Sequence, residues 1–487
     1  MTSPRVLVVG AGVGGLSAAV HLDELARSRN FPVELRLLEA APRAGGVVST
    51  ERRDGFLLEH GPDNFITEKP WGLDLCRRLG LEPEIIGTRR EFARSFVVWG
   101  GKLIPTPEGF YLLAPSRWMP MITTPLFSWR GKIRMAAELW IPRAKGRDDE
   151  SLASFVRRRF GGEALERMAQ PMVAGIYAAD PETLSLRATF PKFLQWESEH
   201  GSVLGAMLAA RRRKTVVSAR GPRYGIFVTL RDGLGRLTEE LQRRLPAGAL
   251  RLDCAVTALR RAGGRWRVAT ADGREETADA VCLALPAVSS APLLHSLDPA
   301  LADALRSVPY NASAVIHFAY RRSAVRHPLD GFGFVVPEAE NRPLSACTFS
   351  HVKYEGRAPA EHALLRVFVS GPRSGPLLEK SDAELTETVR KSLEKLLGIK
   401  ENPLFSRLAR HAVSLPQYTL GHLDRTAVVE DRVRKWPGLA LAGNAFSGVG
   451  IPDCVRSGEA AARSIFEMLN GGSPAERASA LPTGALG

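Results

Sequence analysis

The stretch RVLVVGAGVGG, residues 5–15, decides the fold because it joins a buried strand to a glycine-rich turn and a helix. The apolar run before Gly10 is typical of a strand buried on both faces, and residues 16–27 have the apolar spacing of a helix. A second apolar run, residues 33–38, ends at Glu39. Together these segments predict a β-α-β unit with two parallel strands.

The turn has the spacing G-x-G-x-x-G between a strand and a helix, which predicts a dinucleotide site. Gly10 permits the tight turn, Gly12 lets the backbone approach a pyrophosphate, and Gly15 allows the helix to pack closely on the strand. The helix N-terminus adds unpaired N–H groups and partial positive charge. Glu39 is placed to accept hydrogen bonds from ribose hydroxyls. The alternative is that these glycines only shape a tight turn.

Two further segments favour FAD over NAD as the dinucleotide. Arg43-Ala44-Gly45-Gly46 follows the Glu39 strand and offers a cation and a bare backbone beside the same diphosphate. The segment GNAFSGVGIPD, residues 443–453, is a second glycine-rich turn that opens a helix. Two helix N-termini suit a ligand with two ends, such as an extended FAD.

The composition indicates a packed globular protein rather than a disordered or fibrous one. Hydrophobic residues make up 45% of the 487 residues and charged residues 24%, and the formal net charge of +14 favours anionic partners. The five cysteines have no metal-ligand spacing, so we expect no metal site and a reduced, cytoplasmic setting. The N-terminus has no secretory pattern and no apolar run is long enough to span a bilayer, so any membrane contact is expected to be peripheral.

Changes of pattern along the chain predict an α/β (α+β) protein with a Rossmann-like cofactor domain, a mixed-sheet substrate domain and an inserted helical lobe. The cofactor domain is expected to be discontinuous, and the substrate domain carries alternating strands such as SAVIHFAY. The predicted bounds are 1–90, 205–295 and 430–470 for the cofactor domain, 91–204 for the helical lobe, 296–429 for the substrate domain and 471–487 for a loose tail.

Three segments together resemble the flavin amine oxidase superfamily: GAGVGGLSAA near the N-terminus, LEA-x-x-R-x-GG after the second strand, and LAGNAFSGVGIPDCVRSGEAAA near the C-terminus. Within that superfamily, GPDNF at 61–65, Arg94 before the VWGGKL turn, and QPMVAGIYAAD at 170–180 are similar to the porphyrinogen oxidases of haem synthesis. The resemblance runs from the first strand to about Leu469.

The resemblance implies FAD-dependent oxidation of protoporphyrinogen IX or coproporphyrinogen III to the porphyrin. Three hydride transfers to the flavin remove six electrons, with O2 as acceptor and H2O2 as product, so no catalytic acid or base is identified. It also implies a helical lobe that meets the inner face of the cell membrane. Which porphyrinogen is used, whether the protein is a monomer or a homodimer, and whether the lobe binds membrane all stay open.

The resemblance also carries site residues over to this chain. For FAD they are Gly10, Gly12, Gly14, Gly15, Glu39, Arg43, Gly45, Gly46, Val256, Trp436, Gly443, Val449, Gly450 and Ile451. For substrate, Arg94 matches an arginine that pairs with a propionate, and Lys69 and Asp63 match polar positions. Phe332 and Phe334 are candidates for lining the macrocycle. The alternatives are a solvated Arg94, surface ion pairs at Lys69 and Asp63, and an ordinary strand core at the phenylalanines.

Two other functions stay open. One is a different flavin enzyme of the superfamily, such as an amine oxidase or a carotenoid desaturase. The other is a binding protein without flavin on the same scaffold, like the GDP-dissociation inhibitors. The chain has no recognised nucleic-acid-binding module, so no nucleic-acid partner is expected.

Overall fold

The structure, a computed structural model, describes residues 3–111, 114–115, 118–144, 146, 148–212 and 225–471. The predicted tail therefore lies outside the described residues from residue 472 onward. In the rest of the chain, helices and strands alternate in the α/β (α+β) order that the sequence predicts.

The strands in chain order are β1 Arg5–Val9, β2 Glu34–Leu38, β3 Thr50–Arg53, β4 Phe56–Glu59, β5 Phe65–Ile66, β6 Ile85–Gly87, β7 Phe96–Trp99, β8 Lys102–Pro105, β9 Phe110–Tyr111, β10 Ala114–Pro115, β11 Phe227–Leu230, β12 Leu250–Arg251, β13 Val256–Ala262, β14 Arg265–Thr270, β15 Glu275–Ala278, β16 Ala280–Leu283, β17 Tyr310–Arg321, β18 Gly333–Val335, β19 Ala346–Phe349, β20 His362–Val369, β21 Phe405–Pro416 and β22 Leu439–Leu441.

The α-helices are α1 Val13–Ser28, α2 Pro70–Arg78, α3 Trp118–Thr123, α4 Trp129–Ala136, α5 Leu152–Arg159, α6 Gly162–Ala164, α7 Gln170–Tyr177, α8 Leu186–Thr189, α9 Pro191–His200, α10 Val203–Arg212, α11 Gly235–Arg244, α12 Ala287–Leu294, α13 Pro299–Arg306, α14 Ser350–Lys353, α15 Gly375–Leu378, α16 Asp382–Leu397, α17 His422–Arg434 and α18 Ile451–Leu469. Short 3-10 turns lie at Glu82–Glu84, Arg90–Phe92, Ala137–Trp140, Arg322–Ala324 and Glu338–Glu340, and a π-helical turn at Leu165–Ala169.

A five-stranded parallel sheet in the order β12-β2-β1-β16-β22 forms the centre of the cofactor domain. Helices α1, α11 and α18 cover one face through a shared apolar core. The antiparallel sheet β13-β14-β15 and helices α12 and α13 cover the other face. The predicted Rossmann-like β-α-β unit is confirmed, and its strands end at one edge of the sheet.

A seven-stranded mixed sheet in the order β21-β17-β20-β19-β18-β7-β8 forms the second layer. Alternate residues face opposite sides, as the pleat requires. On one side Ile316, Phe334 and Val367 pack against α16 in one core. On the other side lie Val97 and Val335, which contact the core of the helical lobe. This second side is the surface that the sheet offers to the site.

The helical lobe contains α3 to α10 and has its own apolar core. A buried ion cluster lies within it, in which Arg159 pairs with Glu138 and lies 3.4 Å from Glu197. Arg159 and Glu138 are fully buried, so each charge has to be paired and hydrogen-bonded within the lobe.

The structure corrects the predicted domain bounds at several places. Strands β7 and β8 fall in the stretch predicted as helical lobe, 91–204, yet they join the seven-stranded sheet. Gly100 and Gly101, at φ +59° and +73°, form the tight hairpin turn between them. Residues 205–212 of α10, predicted in the cofactor domain, pack with the helical lobe. Helix α13, predicted in the substrate domain, and α17, which crosses the predicted boundary between residues 429 and 430, pack into the core of the cofactor domain because their apolar faces meet there.

Candidate functional site

In the glycine turn after β1, Gly10 and Gly15 each lie close to a backbone carbonyl oxygen. Gly10 has φ +98°, and a Cβ on it would lie 2.5 Å from the carbonyl oxygen of Ala284. A Cβ on Gly15 would lie 1.8 Å from the carbonyl oxygen of Gly10, so α1 can start this close to β1 only with glycine there. A Cβ on Gly12, in contrast, would meet no atom within 4 Å. The turn is therefore crowded toward the sheet and open at the N-terminus of α1.

Glu39 lies beside this opening at the end of β2. Its two carboxylate oxygens accept hydrogen bonds from the backbone N–H groups of Ala11 (2.6 Å) and Ala41 (2.9 Å). Its carbonyl oxygen accepts a hydrogen bond from the N–H of Cys254, which places β13 and its first residue, Val256, near the same edge. The carboxylate is thus held by the backbone, with lone pairs left for further donors.

Arg43 folds back on its own loop. Its guanidinium donates to the carbonyl oxygens of Gly46 (2.6 Å) and Val48 (3.1 Å). Gly45 and Gly46 have φ of +105° and +58°, and Gly45 forms a β-bridge with Gly12. The loop therefore brings its glycines against the glycine turn, and Arg43 holds the loop in that shape.

A second helix N-terminus, that of α18, meets the first. Gly443, with φ +127°, lies against Gly14, and Gly450 precedes the first turn of α18 at Ile451. A Cβ on Gly458 would lie 2.2 Å from the carbonyl oxygen of Gly14, so α18 crosses α1 in direct backbone contact. Sequence reasoning missed Gly458, and the run of small residues SGEAAA around it was the available signal.

These residues fit an extended dinucleotide. The space next to Gly12 is open, whereas its neighbours in the turn are packed against backbone, and two helix N-termini lie at one sheet edge. Backbone N–H groups at helix N-termini bind phosphate, and the Glu39 carboxylate suits a ribose.

Lys69 is engaged by an acidic partner. Its ammonium group lies 2.7 and 2.8 Å from the two carboxylate oxygens of Asp453, in the first turn of α18. Asp453 also accepts a hydrogen bond from the N–H of Gly450 and is buried. The ion pair between Lys69 and Asp453 therefore holds the N-terminus of α18 in place. Lys69 was predicted to bind a substrate carboxylate, and in the structure its ammonium group binds Asp453 instead.

Asp63 is buried in a cluster of charges. Its carboxylate lies 3.1 Å from the ammonium of Lys353 and 3.2 Å from the guanidinium of Arg366, which also donates to the carbonyl oxygen of Gly61. Burial alone would raise the pKa of Asp63, but Lys353 and Arg366 hold that pKa well below its usual value. Neither basic partner could be identified from the sequence alone.

Arg94 lies in the loop before β7 and pairs with Asp330, donating from Nε to the Asp330 carbonyl oxygen (2.6 Å) and from Nη2 to its carboxylate. About half of its side chain is exposed. The carbonyl oxygen of Arg94 accepts the N–H of Phe332, which is partly exposed. Phe334 is buried on the α16 side of the sheet, so the predicted lining role is wrong for Phe334, because strand alternation turns its neighbour Val335 toward the lobe instead.

Three parts of the molecule, the seven-stranded sheet, the cofactor loop and α7, contact the core of the helical lobe. Val335 of the sheet, Val449 of the cofactor loop and Tyr177 of α7 all pack against the core of the helical lobe. In α7, Ile176 is exposed, and a Cβ on Gly175 would meet no atom within 4 Å. Groups from the sheet, the cofactor loop and the lobe therefore all contact one apolar core.

Trp436 lies at the other end of the five-stranded sheet. It precedes β22, and its indole N–H donates to Asp298 at 3.2 Å. The neighbouring Gly438 packs against the carbonyl oxygen of Asp279, which precedes β16. The glycine turn follows β1 at the opposite, carboxyl end, so the structure does not bring Trp436 to the cofactor site.

The fold and this site define a class of protein. Residues 13–466 match the family described as flavin containing amine oxidoreductase. The chain belongs to this family, and its cofactor is FAD.

Relatives with known names cover nearly the whole chain. It is 37% identical over 502 residues to a coproporphyrinogen III oxidase of Propionibacterium freudenreichii, covering 96% of this chain and 92% of that protein. It is 33% identical over 466 residues to a coproporphyrinogen III oxidase of Bacillus subtilis, covering 96% and 98%. The chloroplastic protoporphyrinogen oxidase of Nicotiana tabacum is 30% identical, covering 95% and 86%.

Solved structures share the fold. A crystal structure described as a candidate protoporphyrinogen oxidase from Exiguobacterium sp. 255-15 has a TM-score of 0.85 and 32% identity, covering 96% of this chain and 99% of that one. The cyclohexylamine oxidase of Brevibacterium oxydans has a TM-score of 0.68 at 16% identity, covering 96% of this chain and all of that one, which shows the fold alone.

Proposed function

We propose that this protein oxidises a porphyrinogen to the porphyrin in haem biosynthesis, and that coproporphyrinogen III is the substrate. The carrying observation is that the sheet, the helical lobe and the FAD loop all contact one apolar core. The relatives named coproporphyrinogen III oxidase, at 33% and 37% identity over almost the full chain, support the choice of substrate. The net charge of +14 favours the porphyrinogen with more carboxylates.

FAD supplies a two-electron oxidation, and three such oxidations with O2 as final acceptor convert one porphyrinogen to one porphyrin and three H2O2. The protein's own part is to bind and orient the macrocycle. Val335, Tyr177 and Val449 provide apolar surface that excludes water from the reacting carbons. The pyrrole protons leave to water, so the chain needs no strong base.

Arg94 is the residue that anchors a propionate of the substrate. Its pair with Asp330 is half exposed, and such pairs are weak in water, so a substrate carboxylate can compete for the guanidinium. Asp63 has a different role. Since Lys353 and Arg366 keep its pKa low, Asp63 stays ionised at physiological pH and can accept a hydrogen bond but cannot supply a proton.

Porphyrin fluorescence tests the reaction. The purified protein is supplied with FAD and given coproporphyrinogen III or protoporphyrinogen IX in air, with a blank that contains no protein, while H2O2 is measured. We expect both substrates to be oxidised above the blank, coproporphyrinogen III faster, with three H2O2 per porphyrin. A yellow protein that oxidises neither above the blank would refute the proposal. A faster reaction with protoporphyrinogen IX would refute the substrate choice alone.

Arg94→Ala tests the anchor. We expect KM to rise roughly 10-fold with kcat little changed, because a charge-assisted hydrogen bond to a bound carboxylate contributes on the order of 1.5–3 kcal/mol. Arg89→Ala is the matched control, since Arg89 lies in the same basic cluster and pairs with the exposed Glu91. Equal KM values for the two variants would contradict the role of Arg94.

We also propose that the helical lobe rests on an anionic membrane surface. Trp129 and Ile133 share one face of α4 and are 65% and 68% exposed, and Trp140 after it is 78% exposed. Lys132 lies over the Trp129 ring at 4.6 Å, so cationic and apolar groups are combined as at a membrane interface. No helix in the described part of the chain is long and apolar enough to cross a bilayer.

Vesicle co-sedimentation tests this contact. With vesicles of phosphatidylcholine and phosphatidylglycerol, we expect the protein to bind and the double variant Trp129→Ser/Trp140→Ser to lose most binding. Val428→Ser is the control because Val428 is an exposed apolar residue on α17, outside the lobe. Equal binding of all three proteins would contradict the proposal.

A further inference from the structure

The segment Gln417–Leu420 joins the helical lobe to the FAD loop. On the lobe side, the N–H of Ser185 donates to the carbonyl oxygen of Tyr418 (2.8 Å), and the N–H of Leu420 donates to that of Thr183 (2.9 Å). These two backbone bonds fix the segment against the lobe on both sides of Tyr418. The position of the Tyr418 side chain is therefore set by the lobe.

The Tyr418 hydroxyl spans the FAD loop. It donates to the carbonyl oxygen of Asn444 (2.6 Å) and accepts the N–H of Gly448 (2.7 Å). Tyr418 is 1% exposed, so these bonds have no competition from water. Gly448 has φ +121°, a backbone conformation that is accessible to glycine because it has no Cβ. One hydroxyl thus ties together two points of the loop, four residues apart.

His422 stacks on the Tyr418 ring and contacts the same loop. The two rings are stacked, with centroids 3.9 Å apart and planes at 13°. Nε2 of His422 lies 3.1 Å from the carbonyl oxygen of Phe446, and the side chain is fully buried. Burial lowers the pKa of His422 to about 4, so the ring is neutral, and the carbonyl partner requires the proton on Nε2.

We propose that Tyr418 and His422 are positioning residues that hold the loop 443–450 in the conformation that binds FAD. The pair satisfies backbone groups of Asn444, Phe446 and Gly448 in succession, between the loop's contact with Gly14 and the start of α18. A preorganised loop loses less conformational freedom when the cofactor binds. The proposal concerns FAD binding and holds whichever porphyrinogen is oxidised.

Tyr418→Phe tests the hydroxyl, because the variant keeps the ring and removes both bonds. FAD binding to apoprotein is titrated by flavin fluorescence at a low temperature, at which circular dichroism shows each protein folded. We expect the FAD dissociation constant to rise roughly 10- to 100-fold, since a buried carbonyl and a buried N–H lose their partner. We also expect the visible flavin spectrum to shift. A merely structural role would lower the melting temperature and leave both readouts unchanged.

Tyr320→Phe is the matched control. Tyr320 is fully buried on the α16 side of the seven-stranded sheet, and its hydroxyl has no hydrogen-bond partner among the residues that the structure describes. We expect its FAD affinity to equal that of the wild type. If Tyr418→Phe does not fold, His422→Phe, which keeps the ring stack and loses the bond to Phe446, provides the same test with an expected rise of about 5- to 10-fold. FAD dissociation constants within about 2-fold of wild type, with an unchanged spectrum, would overturn the proposal.

Discussion

The buried carboxylate of Asp63 offers the sharpest test of how the site is built. In Asp63→Asn the side chain keeps its shape but loses its charge, and Lys353 and Arg366 are left as two buried cations without a counter-ion. The Arg366 side chain is 4% exposed and the Lys353 side chain 14%, so water can replace the lost partner only in part. We therefore expect a large loss of stability from a change that removes no packing.

The size of the loss follows from this burial. Removing one partner of a buried ion pair costs about 3–5 kcal/mol. The unfolding entropy of a chain of 487 residues, at roughly 2 cal/mol/K per residue, converts 1 kcal/mol into about 1 °C of melting temperature. Asp63→Asn should thus lower the melting temperature of the apoprotein by about 3–5 °C.

Differential scanning calorimetry measures this shift, with two comparisons. Asp330→Asn removes a carboxylate from the half-exposed pair with Arg94 and should lower the melting temperature by less than about 1 °C. Adding Lys353→Met to Asp63→Asn removes one of the unpaired cations and should recover part of the loss.

The pH dependence gives the sign of the effect. The folded pKa of Asp63 lies below its unfolded value near 3.8, so its contribution is present above that value and lost as pH falls through the folded pKa. The difference between wild type and Asp63→Asn should be constant from pH 5 to 8 and shrink only below about pH 4. A shift under 1 °C, or one that grows between pH 5 and 8, would refute this account.

Three further predictions concern single residues. Gly458→Ala should weaken FAD binding at least about 10-fold, because the new Cβ would lie 2.2 Å from the carbonyl oxygen of Gly14. The control is Gly162→Ala, where a Cβ would meet no atom within 4 Å. It should leave the FAD dissociation constant unchanged in the same fluorescence titration. Burial raises the pKa of Glu59 to about 7, although the hydrogen bond from Thr50 lowers it. The contribution of Glu59 to stability therefore falls as pH rises from 4.5 to 7 and is constant above pH 7. In Glu59→Gln the melting temperature should change less with pH in that window, and a slope equal to that of the wild type would contradict this prediction. Ser381→Ala removes the capping box of α16 and should cost about 1 kcal/mol in urea unfolding without altering porphyrin formation, whereas a loss of activity would be inconsistent with a purely local cap.

The local elements could be predicted from the sequence because their signals are local. Helix α16 has local signals at both ends, since Ser381 caps its start at Asp382 and Gly398 ends it after Leu397. The strand, glycine turn and helix at the N-terminus follow from apolar runs and glycine spacing in the same way. Each of these signals is contained in fewer than about twenty residues.

The site's long-range partners could not be predicted in this way. Asp63 was named as a polar site residue, but Lys353 is 290 residues away in sequence and nothing in the spacing links the two. Lys69 and Arg94 were expected to be available to substrate, and only the fold shows the acidic partners Asp453 and Asp330. Trp436 was carried over from the resemblance, although its place before β22 puts it at the opposite end of the parallel sheet from the glycine turn after β1.

The direct crossing of α1 and α18 has a consequence for how the protein is made. The small residues of α1 stay exposed to solvent until α18 has left the ribosome. At roughly 5–20 residues per second, that delay is on the order of a minute or less, yet long compared with helix formation. FAD cannot be captured between both helices before α18 has been synthesised. Truncated chains that stop before α18 should therefore bind no FAD, be colourless and tend to aggregate.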